Sequence, residues 1–181
     1  MSGIIKATNL EVTTIKDKTN TNTAISIDTS GRISIPKVPA FSVRGYGSIQ
    51  NGATVNGLSI GTGTDIIYNY TSVDLNRDSA FNNSTGIYTV PVAGLYQVSC
   101  GVGCKSSTNY LSITLFLTSS DSTQYGHISS WVGNNLRHTP ANMTTIVEAS
   151  AGQEFAMGMS DTYSTPDTNT HYSWFSAYLI G

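Results

Sequence analysis

The stretch Trp174-Phe-Ser-Ala-Tyr-Leu-Ile180 near the end of the chain is apolar at both odd and even positions. Side chains of a strand point alternately to opposite faces, so this segment carries two apolar faces at once. Phe175, Ala177 and Leu179 fill one side, and Trp174, Tyr178 and Ile180 the other. One side can be covered by the sheet's own interior. The other needs something else, and in a chain of 181 residues a second subunit is the expected cover. That expectation favours an assembly protein over an enzyme.

The rest of the chain is consistent with β structure. Charged residues are only 11% of the total, against roughly 25% in ordinary soluble domains. Ser, Thr and Asn supply about a third of the residues, and Thr suits strands while Asn and Ser suit turns. Strands are expected at Phe41–Tyr46, Asp65–Tyr70, Ser79–Phe81, Ile87–Val90, Leu95–Cys104, Leu111–Leu117, Tyr125–Val132, Asn142–Ala149, Glu154–Met159 and His171–Ile180. Asn51-Gly52 and Asn56-Gly57 read as hairpin turns. No helix is expected. Eight to ten short strands at this spacing indicate an all-β, two-sheet antiparallel sandwich or jelly roll.

Residues 1–38 differ in character from residues 39–181. They contain no aromatic residue, and Ala24-Ile-Ser-Ile-Asp28 followed by Arg32-Ile-Ser-Ile35 reads as a hairpin with Gly31 in its turn. Ile25, Ile27, Ile33 and Ile35 would line one face of it. A lone hairpin is barely stable in water, so this arm needs either copies of itself or a docking surface. Pro36 and Pro39 bracket its end as a stiff joint. The expected division is therefore an extended arm over 1–38 and a head over 39–181.

The landmarks Pro39-Ala-Phe41, Phe81, Thr85-Gly-Ile-Tyr-Thr-Val-Pro-Val-Ala-Gly-Leu-Tyr96 and Phe175-Ser-Ala-Tyr-Leu179 resemble the globular heads of the C1q/tumour-necrosis-factor-like jelly-roll family. The central stretch is similar to the family's Gly-x-Tyr/Phe strand meeting Pro-x-x-Gly-x-Tyr. Ala177 stands where the family usually has Gly. The resemblance implies a homotrimer whose closing strand lies in the sheet facing the threefold axis, with Phe41, Trp174, Tyr178 and Ile180 as interface residues. The arm, Thr8-Asn-Leu-Glu-Val-Thr-Thr-Ile15 and Ala24 to Pro36, resembles amino-terminal segments of structural and tail-fibre proteins of marine tailed bacteriophages. That likeness implies a virion structural protein, a fibre or knob with a role in host-surface attachment, held to other virion proteins through Ile25, Ile27, Ile33 and Ile35. The alternatives are a capsid decoration protein with no receptor role, and a lectin-like binding module from a cell.

Enzymatic signals are weak. Gly57-Leu-Ser-Ile-Gly61 fits the nucleophile-elbow pattern, but the elbow needs a helix after the Ser, and Ser59 is followed by Ile-Gly-Thr-Gly-Thr. His127, His138 and His171 are far apart, and no Asp-x-Asp cluster suits calcium. Neither an enzymatic activity nor a metal or other cofactor is expected. Cys100 and Cys104 lie on one strand about 13 Å apart, too far for a disulfide, and read as free thiols on the core face. Asn69, Asn82, Asn83 and Asn142 match glycosylation sequons but read as turn residues.

The arm has five bases against three acids and the remainder four against eight, so neither half is basic enough to suggest nucleic acid. No apolar run approaches the length of a membrane span, and Met1-Ser-Gly-Ile-Ile-Lys6 lacks the apolar region of a secretory leader. The expected location is the virion, after synthesis in the host cytoplasm. Tyr163, in the polar Ser160–Thr170 segment, is the candidate contact for a host glycan or protein. Tyr163→Ala is then expected to weaken adsorption to the host cell.

Overall fold

The computed structural model describes residues 13–16, 23–35, 37–45, 48–51, 54–55, 58–59, 65–105, 109–118, 124–132, 137–160 and 173–181, with side-chain surroundings for 13–16, 25–35, 37–45, 66–102, 142–158 and 173–181. The chain divides into two compact units, Met1–Val38 and Pro39–Gly181.

The first unit contains β1 (Thr14–Lys16), β2 (Thr23–Ile27) and β3 (Ile33–Ser34), an antiparallel sheet in the order β1-β2-β3. The β2–β3 hairpin follows from its turn residues. The Asp28 carboxylate accepts the amides of Ser30 at 2.8 Å and Arg32 at 3.0 Å, and the Arg32 Nε at 2.6 Å. Gly31 takes a φ of +76°, which a side chain would resist. The amide of Arg32 first, and its guanidinium second, hold the Asp28 carboxyl below its ordinary range. The sequence predicts the hairpin but not β1, whose apolar residue Ile15 pairs with Ile25.

The second unit contains β4 (Ala40–Arg44), β5 (Ser48–Asn51), β6 (Thr54–Val55), β7 (Leu58–Ser59), β8 (Asp65–Tyr68), β9 (Ser72–Asn76), β10 (Phe81–Asn82), β11 (Ile87–Thr89), β12 (Gly94–Lys105), β13 (Asn109–Thr118), β14 (Gln124–Val132), β15 (Arg137–Ala149), β16 (Glu154–Ser160) and β17 (Ser173–Leu179). It is a two-sheet sandwich, with β6 and β7 paired as a separate two-stranded sheet. One sheet has the order β15-β12-β17-β4-β9. The other runs β10-β11-β16-β13-β14, with β8 also on β16 and β5 on β8. All of these pairings are antiparallel. Among the described residues there is no α-helix, only a single 3₁₀ turn at Arg77–Ser79.

The core fills the space between the sheets with interlocking rings. Phe41 stacks on Tyr88 at 4.5 Å and on Phe81 at 4.8 Å, and meets Phe175 edge-on at 4.8 Å. Phe155 stacks on Tyr88 at 5.9 Å and meets Tyr96 edge-on at 5.9 Å. Stacked and edge-to-face geometries suit the ring quadrupole and add to the area term. The alternation Tyr96, Val98, Cys100, Val102 puts all four in this core. Burial pushes the Cys100 thiol up to about 12, which makes it unreactive near neutral pH. The Cys104 side chain lies outside the described residues.

Two asparagines stand in for missing backbone. Asn83 accepts the Tyr70 amide at 2.8 Å and donates to the Tyr70 carbonyl at 3.0 Å. Asn76 makes the same pair of bonds to Phe81, at 3.0 and 2.8 Å. The turn between β10 and β11 closes on Gly86, whose φ is +72°; a Cβ there would run into the Ile67 carbonyl.

The structure departs from the sequence expectations at four points. Ser79–Phe81 is not a strand: Asp78 and Ser79 take positive φ in the 3₁₀ turn, and only Phe81–Asn82 is extended. β5, β6, β7 and β9 have no counterpart among the expected strands; Ser72–Asn76 does alternate, but β9 ends the sheet order and its apolar residues Val73 and Leu75 stay exposed. The strands on either side of Asn51-Gly52 do not pair as the expected hairpin: β5 pairs with β8, and β6 with β7. β15 begins at Arg137, ahead of the expected Asn142, and contains Pro140. A proline is tolerated there because β15 ends the sheet order and has β12 on one side only.

Candidate functional site

The outward face of the five-stranded sheet is built by alternation and register alone. On β17, Ser173, Phe175 and Ala177 are buried in the sandwich, so Trp174, Ser176, Tyr178 and Ile180 face out. The register then sets their neighbours. Tyr178 stands opposite Gln97 on β12 and Ala40 on β4, and Gln97 stands opposite Ile146 on β15. Ser176 lies between Ser99 and Ser42, with Thr144 beyond Ser99. Trp174 lies between Gly101 and Arg44.

Three rows of different chemistry result. The first is mainly apolar and aromatic and spans two register positions: Ile146 is 61% exposed, Tyr178 and Ile180 are each 44% exposed, and Leu95, which stands opposite the exposed Glu148, is also open. Leu95 and Ile180 are tied through their backbones, with the Ile180 amide donating to the Leu95 carbonyl at 2.8 Å. The Tyr178 hydroxyl donates to Gln97 Oε1 at 2.9 Å, so the ring is held in a fixed position on the sheet. The second row is small and hydroxylated, Thr144, Ser99, Ser176 and Ser42, with the Ser99 and Thr144 hydroxyls 2.8 Å apart. The third carries Trp174, whose indole lies over Gly101: a Cβ at that glycine would collide with the ring. Beside it, Arg44 Nε donates to the Asp74 carboxylate at 2.8 Å, and the Ser72 hydroxyl to the same group at 2.6 Å. The Ser72 hydroxyl first, then Arg44, hold the Asp74 carboxyl below its ordinary range.

The expected interface residues divide accordingly. Trp174, Tyr178 and Ile180 share the outer face. Phe41 does not: it is 1% exposed, because β4 turns Phe41 and Val43 inward and Ala40, Ser42 and Arg44 outward. Its ring is fully committed to the subunit's own core, and it is corrected from an interface residue to a core residue. In the first unit, Ile25 and Ile27 are half-buried, whereas Ile33 and Ile35 are 69% and 52% exposed. Tyr163 lies outside the described residues, as do the side chains of Ser59, His127 and His138. Leu95, Ile146 and the hydroxyl row are absent from the residues the sequence singles out. Leu95 is recognisable as the outward partner in the Tyr96–Val102 alternation, whereas Ile146 needs the β12–β15 register. Among the described residues no cluster of His, Cys, Asp and Glu could hold a metal ion.

A two-sheet sandwich with this strand order, carrying an apolar and hydroxylated outer face on the sheet that contains its closing strand, is a C1q/tumour-necrosis-factor-like jelly roll. The C1q domain model matches residues 54–180, and the chain belongs to that family. The fold is similar to that of murine APRIL, with a TM-score of 0.62 at 9% identity, over 80% of this chain and 100% of that one. It is also similar to the globular domain of zebrafish complement 1qA, with a TM-score of 0.58 at 17% identity over 79% and 98%. The Eiger TNF of S. frugiperda gives 0.56 at 13% identity over 80% and 94%. No curated protein matches the chain. At these identities the structures speak for the fold alone.

Proposed function

We propose that this chain is a non-enzymatic, homotrimeric bacteriophage virion protein, a fibre or knob whose heads meet through the outer face of the five-stranded sheet and whose arm holds the trimer to the particle. The observation that carries the trimer is the row Ile146, Leu95, Tyr178 and Ile180, open to water on the sheet that contains the closing strand. Burying a fully exposed aliphatic side chain contributes about 1.5–3 kcal/mol; the side chains of this row are about half exposed, so each contributes about half of that, and a threefold assembly buries three copies of the row. The hydroxyl row is small from Thr144 to Ser42, ends on the exposed Leu75 of β9, and can bond across the interface. The virion reading is supported by the arm, whose sequence resembles amino-terminal segments of marine tailed-phage structural proteins. Three weak surface contacts on one rigid knob would bind a repetitive host surface by avidity.

Light scattering is expected to give three times the 19.3 kDa subunit mass, and Ile146→Asp with Ile180→Asp to reduce it to one subunit. A single-subunit mass for the unsubstituted chain would end the trimer reading. Imaging of the whole particle tests the rest. Density on a tail or fibre supports attachment, density on the shell replaces attachment with capsid decoration, and absence from the virion removes the viral reading.

A further inference from the structure

The small sheet of the first unit sorts its residues by face. Ile15 stands opposite Ile25, and Ile27 opposite Ile33. By alternation Ile35 joins the same face. The reverse face carries Thr14, Ser26 and Ser34, with the two serine hydroxyls 2.6 Å apart. Five isoleucines therefore share one side of a sheet whose strands are three, five and two residues long. Ile15, Ile33 and Ile35 are all exposed there.

We propose that this face is the seam along which the arms of three copies of the chain pack on one another, so that the arm is a second trimerisation element and its attachment to the particle falls to residues off this face. The inference rests on the trimeric reading of the head. A sheet this small that gathers its apolar residues on one face must bury that face against another layer. In a trimer the covering layer is already present, because three identical arms leave the heads through the short joint at residues 36–39, at an effective concentration on the order of millimolar. Isoleucine brings no polar atom that must find a specific partner, so identical faces are complementary as they stand. Threefold closure also leaves no apolar face open, which an unclosed contact would.

The test uses the full chain. Ile33→Cys and Ser34→Cys place a thiol on opposite faces of one strand, and the unsubstituted chain, with Cys100 and Cys104, gives the background. Under mild oxidation, Ile33→Cys is expected to form covalent dimers between copies well above that background and Ser34→Cys to stay at it. Equal yields at the two positions, or none at position 33, overturn the proposal. Light scattering on the same samples separates the two failures: a trimeric mass without the position-33 cross-link removes the arm seam alone, and a single-subunit mass without it removes both readings. The second measurement is hydrogen exchange over residues 23–35. Ile33→Asp with Ile35→Asp is expected to speed exchange there by at least about tenfold while the mass stays trimeric. Unchanged exchange overturns the seam. So does protection found only in the intact particle, which would assign the face to another virion protein.

Discussion

The two faces of the five-stranded sheet are made by the same strands and differ in almost everything else. Inward, Phe41, Phe175, Tyr96 and Val98 are sealed among the aromatic rings of the opposite sheet. Outward, one residue away in each strand, lie Ser42, Ser176, Gln97 and Ser99, all only partly covered. The inner face is selected for volume and close packing, which a single chain satisfies by itself. The outer face is flat, mostly small, and apolar at one end, which is the pattern of a surface prepared for another surface. Adjacent residues of one strand thus specify the fold of the subunit and, on the proposed reading, its assembly.

The largest test of this contrast compares neighbours on β17. Phe175→Ala is expected to lower the unfolding free energy by about 3–5 kcal/mol, through lost transfer energy and a cavity. Tyr178→Ala, three residues along, is expected to cost about 0.5–1.5 kcal/mol in a single subunit, the range of one hydrogen bond. Denaturant titration at a concentration where the subunit is alone reads both, and equal costs would mean that the outer face belongs to the core. A middle value is expected at Gly101, which faces outward yet is buried because Trp174 covers it. Gly101→Val must displace the indole and is expected to cost about 1–3 kcal/mol, as overpacking does. In a Trp131→Phe background the emission of Trp174 should shift to longer wavelength. An unshifted spectrum would mean that the ring can move aside and that the close approach is incidental.

The inner face is legible in the sequence because alternation is local. Tyr96, Val98, Cys100 and Val102, and likewise Phe175 and Ala177, are sorted by their own strands, and the Thr85-to-Tyr96 stretch brings the family with it. The outer face is legible only in part, because its character depends on which residues of different strands stand side by side. Ser42, Ser99, Thr144 and Ser176 are four ordinary residues until pairing aligns them. Ile146 looks like one more apolar residue beside Val147 until β15 is set against β12. Phe41 is a different case: Phe41 and Val43 alternate with Ala40, Ser42 and Arg44, so its own strand already sorts the ring inward, and the interface expectation comes from the resemblance and not from the pattern. Asn83 reads as an ordinary turn residue and Asn76 carries no signal at all, and nothing local reveals that each spans a backbone amide and carbonyl of another residue.

The smallest effect lies where the outer face meets the sheet edge. Asp74 is exposed, and Ser72 and Arg44 depress its carboxyl below the ordinary value of 3.8. A carboxyl depressed in the folded state adds stability that is present above its unfolded value and is lost as the pH falls through the folded one. The stability difference between the native chain and Asp74→Asn should therefore be constant from neutral pH down to about 4, fade below 3.8, and shrink in about 1 M salt, where the Debye length is about 3 Å. Exposed pairs contribute little, so in a lone subunit the difference should be near the limit of detection. Arg44 stands opposite Trp174 on the proposed interface, so trimerisation would exclude water from the pair and screen it less. A pH-dependent difference that is larger and less salt-sensitive in the trimer than in the subunit would mark this end of the outer face as covered. The same small, salt-sensitive difference in both states would confine the interface to the apolar end around Tyr178 and Ile180.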